Sequence, residues 1–239
     1  MSRKLVPAGL TVCVAMLVGA CSSTETERSR DTHVETSATS FVLTGPVDME
    51  AARLLTQLAE ANPDIRRLIV RSEGGDPMAG IQLGYLLNRN QFTLEIDGYC
   101  LDSCANYLFT GAYNRVLRKD AIVAWSGGAT EESWVTQWSF YLLPGIRTVV
   151  EQYLDAFLRR ETRFFDRIQV DQRITAYGFD ANIGCMDKGD FRGFYYDSAD
   201  LLVMGVGRTT RENTTWLTAF NHYPNEFCKV ELDPVQLLK

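Results

Sequence analysis

The side chains of this chain that are able to do chemistry are few and unevenly placed. Histidine occurs twice in 239 residues, as His33 and His222, which leaves little for a histidine-rich metal site or for ordinary histidine-based catalysis. The reactive groups that stand together are Asp102 and Ser103, enclosed by Cys100 and Cys104. A serine hydroxyl or an aspartate carboxylate can serve as a nucleophile, but each needs an activating neighbour. At the start of a helix an aspartate has a plainer use: it caps backbone N–H groups, a contribution of about 1 kcal/mol. Ser72-Glu73-Gly74-Gly75-Asp76 reads as a tight turn, and Ser126-Gly127-Gly128 marks a strand end running into a flexible loop. His222, within Asn221-His222-Tyr223-Pro224, reads as a surface-loop residue. No cofactor motif appears. Gly205-Val206-Gly207 lacks the strand, glycine loop and helix that a dinucleotide needs.

These residues must be positioned by an alternating chain of strands and helices. Phe41–Thr44 reads as a strand, and a helix follows from an Asp48 cap to Asn62-Pro63. Leu68-Ile69-Val70 is a continuous apolar run, as in a strand covered on both faces. The glycine turn leads into a second helix with Gly80 and Gly84 four apart, then Phe92–Ile96 alternates as a strand. Leu101–Thr110 is the third helix and Ala121–Trp125 a short strand. This βαβ order predicts an α/β fold with a mostly parallel sheet. Further on, Val149–Ile168 reads as a helix packing through Tyr153, Phe157, Phe164 and Phe165, with Arg159, Arg160 and Glu161 on a solvated face. Phe194-Tyr195-Tyr196 reads as a strand and Asp200–Met204 as a short helix.

An apolar fraction of 46% and a charged fraction of 23% belong to a folded globular chain. With 24 Lys+Arg against 30 Asp+Glu the net charge is -6, which excludes a nucleic-acid binder that relies on bulk positive charge. The first twenty residues read as an export signal: Ser2-Arg3-Lys4 is basic, Leu5–Leu17 is mostly apolar, and Val18-Gly19-Ala20-Cys21 resembles a bacterial lipobox. That resemblance implies a lipidated Cys21 as the mature N-terminus, with Ser22 favouring the outer membrane of a bacterial envelope. Residues 21–40, dominated by Ser, Thr and Glu, read as a flexible tether, and residues 41–239 as one domain. Four cysteines then remain in an oxidising compartment, with three possible connectivities. The expected one is Cys100–Cys104 with Cys185–Cys228; separately buried thiols are the alternative for the first pair. Neither pair has C-x-x-C spacing or a nearby histidine, so no zinc or other metal is expected.

From Phe41 to Trp125 the chain resembles the ClpP-like serine peptidases of the ClpP/crotonase fold, especially their exported bacterial relatives. The residues that carry the resemblance are Val70-Arg71-Ser72-Glu73-Gly74-Gly75-Asp76, the helix to Leu87, Cys100-Leu101-Asp102-Ser103-Cys104-Ala105 leading to Gly111, and the strand Ala121–Trp125. The resemblance implies an oxyanion hole from the N–H groups of Gly75 and Ser103. It places the nucleophile nine residues before Gly111, where Asp102 stands, and the histidine directly after Trp125, where Ser126 stands. Both catalytic positions are therefore replaced, and the orienting carboxylate has no clear counterpart, Asp190 being the nearest candidate. The expectation is a lipid-anchored envelope protein that binds a peptide, protein or envelope component without hydrolysing it. The alternative is a serine-type hydrolase using a displaced nucleophile, Ser103 or Asp102. The oligomeric state is not legible.

Overall fold

A computed structural model describes residues 31–129, 144–185, 188–212, 216–223 and 225–232. The expected signal and Cys21 lie outside them. Among the described residues seven strands form one sheet, in the order β1 (His33–Thr36), β2 (Phe41–Thr44), β3 (Arg67–Ser72), β4 (Thr93–Leu101), β5 (Asn114–Leu117) and β8 (Thr209–Arg211), with β6 (Ile122–Ala124) also paired to β4. Every pairing in it is parallel except β1 with β2. This is the mixed α/β fold with a mostly parallel sheet that the strand–helix alternation predicts. A second sheet of two parallel strands, β7 (Gly193–Tyr195) and β9 (Phe227–Lys229), stands beside it.

Capping fixes where the first two helices begin. Asp48 accepts the Ala51 N–H at 2.7 Å to start α1 (Met49–Ala61). Asp76 accepts the N–H groups of Met78 and Ala79 to start α2 (Pro77–Arg89), with Pro77 at a position that needs no donor. The pair Gly80 and Gly84 explains how closely α2 packs. A Cβ at Gly80 would lie 2.5 Å from the Tyr107 ring, and one at Gly84 would lie 2.6 Å from the Tyr107 carbonyl oxygen. Tyr107 belongs to the next helical segment, Cys104–Phe109, a single π-helical stretch.

The expected third helix, Leu101–Thr110, therefore starts later than its sequence pattern suggests. Leu101 still belongs to β4, and Asp102 has φ +49°, a left-handed conformation that breaks helical continuity. β4 itself runs beyond the expected Ile96. It pairs with β5 through Thr93–Ile96, then with β6 through Tyr99–Leu101, changing neighbour across Gly98 at φ +93°. Three short strands, β5, β8 and β9, have no strong apolar alternation and were not expected. β5 is instead tied by Arg115, which donates to the carbonyl oxygens of Phe109, Thr110 and Gly207. Its guanidinium satisfies the end of the π-helix, and burial pulls its pKa down to about 10.

Two further expectations are corrected. The tether was expected to run to Ser40, yet His33–Thr36 forms an edge strand through backbone pairing, with His33 exposed. With Val34 its sole apolar residue, it carried no hydrophobic signal. The long helix α3 (Pro144–Ile168) buries Phe157, Phe164 and Phe165, but Tyr153 is 52% exposed and Glu161 is fully buried. Phe157, Glu161, Phe164 and Phe165 fall on one face at helical spacing, so that face is core and not solvated. A last short helix, α4 (Ser198–Val203), is capped by Asp197.

Candidate functional site

The end of β4 delivers Asp102 into a cleft of about 720 Å³, a size suited to small ligands or peptide side chains. One wall carries Gly75, Asp102, Ser103, Asn106, Tyr107 and Ser126–Gly128; the opposite wall carries Gly178, Phe179, Cys185 and Gly189–Phe194. Both expected disulfides are present, Cys100–Cys104 below the first wall and Cys185–Cys228 in the second.

The glycine turn can approach Asp102 because it has no side chains. Gly74 has φ +95° and Gly75 φ +147°, and a Cβ on Gly74 would lie 2.7 Å from the Cβ of Asp102. The Asp102 N–H donates to the Ala124 carbonyl at 3.0 Å, which sets the elbow against β6. Its carboxylate accepts the Ser126 hydroxyl at 2.7 Å. Burial raises the Asp102 pKa, opposed by the Ser126 hydrogen bond and by the backbone N–H groups of Ser103 and Gly75, which favour the charged form. Asp102 thus sits before the helix rather than acting as its ordinary cap. The cap position belongs to Ser103, whose side chain makes no capping bond.

The structure brings together Gly75, Asp102, Ser103 and Ser126, and places Asp190 on the same cleft, exposed to solvent. It does not bring His222, which is exposed at the end of the turn Trp216–His222 and is not among the cleft-lining residues. Ser103 is 2% exposed, and its Oγ has no hydrogen-bond partner. Ser126-Gly127-Gly128 was expected to open a flexible loop, but its described part is pinned. Asn106 Nδ2 donates to the Gly127 carbonyl at 2.6 Å, and the Ala129 N–H donates to Glu161 at 3.0 Å.

Asn106, Tyr107 and Glu161 escaped the sequence reading. Glu161 accepts from the Tyr107 hydroxyl at 2.7 Å and from Gln172 Nε2 at 2.8 Å. Burial raises its pKa against these hydrogen bonds, and burial with the Glu161 charge pushes the Tyr107 hydroxyl well above its ordinary range. This cluster supports the first wall from behind. Arg192 of the second wall pairs with Glu73 of the glycine turn at 3.0 Å. Among the described residues no group of three or more His, Cys, Asp or Glu is arranged to hold a metal ion, and no helix is long and apolar enough to cross a membrane.

No protein-family profile and no curated protein matches the chain. Among solved structures it is similar to a ClpP1 mutant from Listeria monocytogenes, at 15% identity and a TM-score of 0.45, over 73% of this chain and 92% of that one. It is also similar to the ClpP protease catalytic domain from Plasmodium falciparum, at 12% identity and a TM-score of 0.41, over 73% and 85% of the two chains. Both are ClpP proteases.

Proposed function

We propose that this chain is an envelope lipoprotein whose ClpP-like domain binds a peptide, protein or envelope component in the cleft without hydrolysing it. The observation that carries the reading is the 2.7 Å hydrogen bond from Ser126 to Asp102. The residues standing in for the nucleophile and the base are bonded to each other, and the Asp102 carboxylate takes up the backbone N–H groups of Ser103 and Gly75. A substrate oxyanion needs donors that are free when charge develops on it, and a carboxylate held by hydrogen bonds is a weakened nucleophile. Lipid anchoring rests on Val18-Gly19-Ala20-Cys21 and export on the basic and apolar run before it.

A serine-directed fluorophosphonate probe tests the loss of hydrolysis. The natural chain should stay unlabelled, while Asp102→Ser combined with Ser126→His should gain labelling that neither single change gives. The competing reading, a hydrolase with Ser103 as nucleophile, draws on the buried, unpartnered Ser103 Oγ. Labelling of the natural chain that disappears in Ser103→Ala would establish that reading and overturn ours. Anchoring is checked by fractionation: Cys21→Ala should release the mature protein from membranes into the soluble fraction.

A further inference from the structure

The cleft has hydrogen-bonding capacity of one kind left over. Asn106 is 2% exposed, and its amide orientation is set by Nδ2 donating to the Gly127 carbonyl. The atom left without a partner is therefore Oδ1, which can only accept. One helical turn before it, the unpartnered Ser103 Oγ can accept as well. Buried polar atoms without partners are rare in native structures, and each calls for an explanation. Two such atoms, carried by residues that both line one cleft, point to a ligand that brings donors.

Charge leads to the same chemistry. Asp102 and Asp190 both line the cleft, and neither has an ion-pair partner among the described residues. Arg192, the one cationic residue lining it among the described residues, is engaged by Glu73 at 3.0 Å and by Glu226 at 4.0 Å. The positive end of the π-helix already has Asp102 beside it, so it adds no claim on an anion. The opposite wall offers Phe179 and Phe191, surfaces suited to an alkyl stem or to the face of a cation.

We infer that the cleft selects an alkylammonium group, in the form of a lysine side chain on a bound peptide. Its N–H groups donate to Asn106 Oδ1 and Ser103 Oγ, and its charge is balanced by Asp102 and Asp190. This rests on the reading of the cleft as a binding site.

Calorimetry on the full mature chain tests it with three peptides, acetyl-Ala-Lys-Ala-amide and its norleucine and glutamate counterparts. The lysine peptide should bind about tenfold more tightly than the norleucine peptide, the size of effect expected from charge-assisted hydrogen bonds. Asp190 is exposed, so its variants should fold. Asp190→Asn should remove most of the preference, and Asp190→Lys should turn it toward the glutamate peptide. Equal binding of the lysine and norleucine peptides, or tighter binding of glutamate by the natural chain, overturns the inference while leaving the cleft a binding site. Failure of all three to bind overturns both, and cleavage of any peptide overturns the proposed function by itself.

Discussion

One wall of the cleft is carried by the central sheet, and the other hangs from that sheet by a few contacts. Asp102 stands at the end of β4, the strand with three neighbours, and every backbone segment around it is fixed by β6, by the glycine turn or by Glu161 from α3. The opposite wall joins the sheet through the paired backbone bonds of Trp125 with Phe194, each 2.8 Å, through the packing of Tyr196 on the Trp125 ring at 5.1 Å, and through the Arg192–Glu73 ion pair. Its own cohesion comes from ring contacts, such as Phe179 on Phe194 at 5.6 Å, and from Cys185–Cys228. The polar groups that could recognise a ligand lie mainly on the rigid wall. The aromatic surface that shapes the cleft lies mainly on the hung one.

The two disulfides separate these roles most strongly. Cys185 and Cys228 are 43 residues apart in sequence, so removing that link with Cys185→Ser and Cys228→Ser should cost about 4 kcal/mol by loop-closure entropy. Cys100 and Cys104 are four apart, and Cys100→Ser with Cys104→Ser should cost about 2 kcal/mol on the same basis. Chemical denaturation of the two variants measures both. A larger loss from the second pair would mean that the elbow, and not the aromatic wall, depends on its staple.

The smallest effect concerns the proton on Asp102. Its pKa is raised in the folded state, so the stability it contributes is fully present below the ordinary aspartate pKa and is lost as pH rises through the raised value. Asp102→Asn cannot titrate, so its stability relative to the natural chain should increase across that window. Glu161 is also raised but is common to both proteins and cancels in the difference. A difference that stays flat or falls with pH would mean that hydrogen bonding, not burial, dominates at the elbow.

The rigid wall is also the one that could be read from the sequence. Its strands are apolar, its helices begin at Asp48 and Asp76, and the glycine turn and Asp102 follow two adjacent strands of the βαβ order. The meeting of Asp102 with Ser126 was implied by the family resemblance, which puts both at the catalytic positions of one cleft. Asn106 and Glu161 could not be recognised as easily. Asn106 matters through one leftover carbonyl oxygen, and Glu161 is flanked by charged residues that suggest water. The aromatic wall was legible only as isolated pieces. Phe194 and Cys185 are ordinary residues until a disulfide and a two-residue bridge to Trp125 bring them to the cleft.

The edge strand β1 has a consequence for distance. A chain anchored at Cys21 and free up to Phe41 would have twenty residues of slack (41 − 21), a reach of about 70 Å. Because His33 is already fastened to the sheet, only twelve residues (33 − 21) separate it from Cys21, and their greatest possible reach is roughly 40 Å. With lipid on Cys21, the sheet edge would be held within a shell about as deep as the domain itself. Whatever enters the cleft would have to be found close to the bilayer surface.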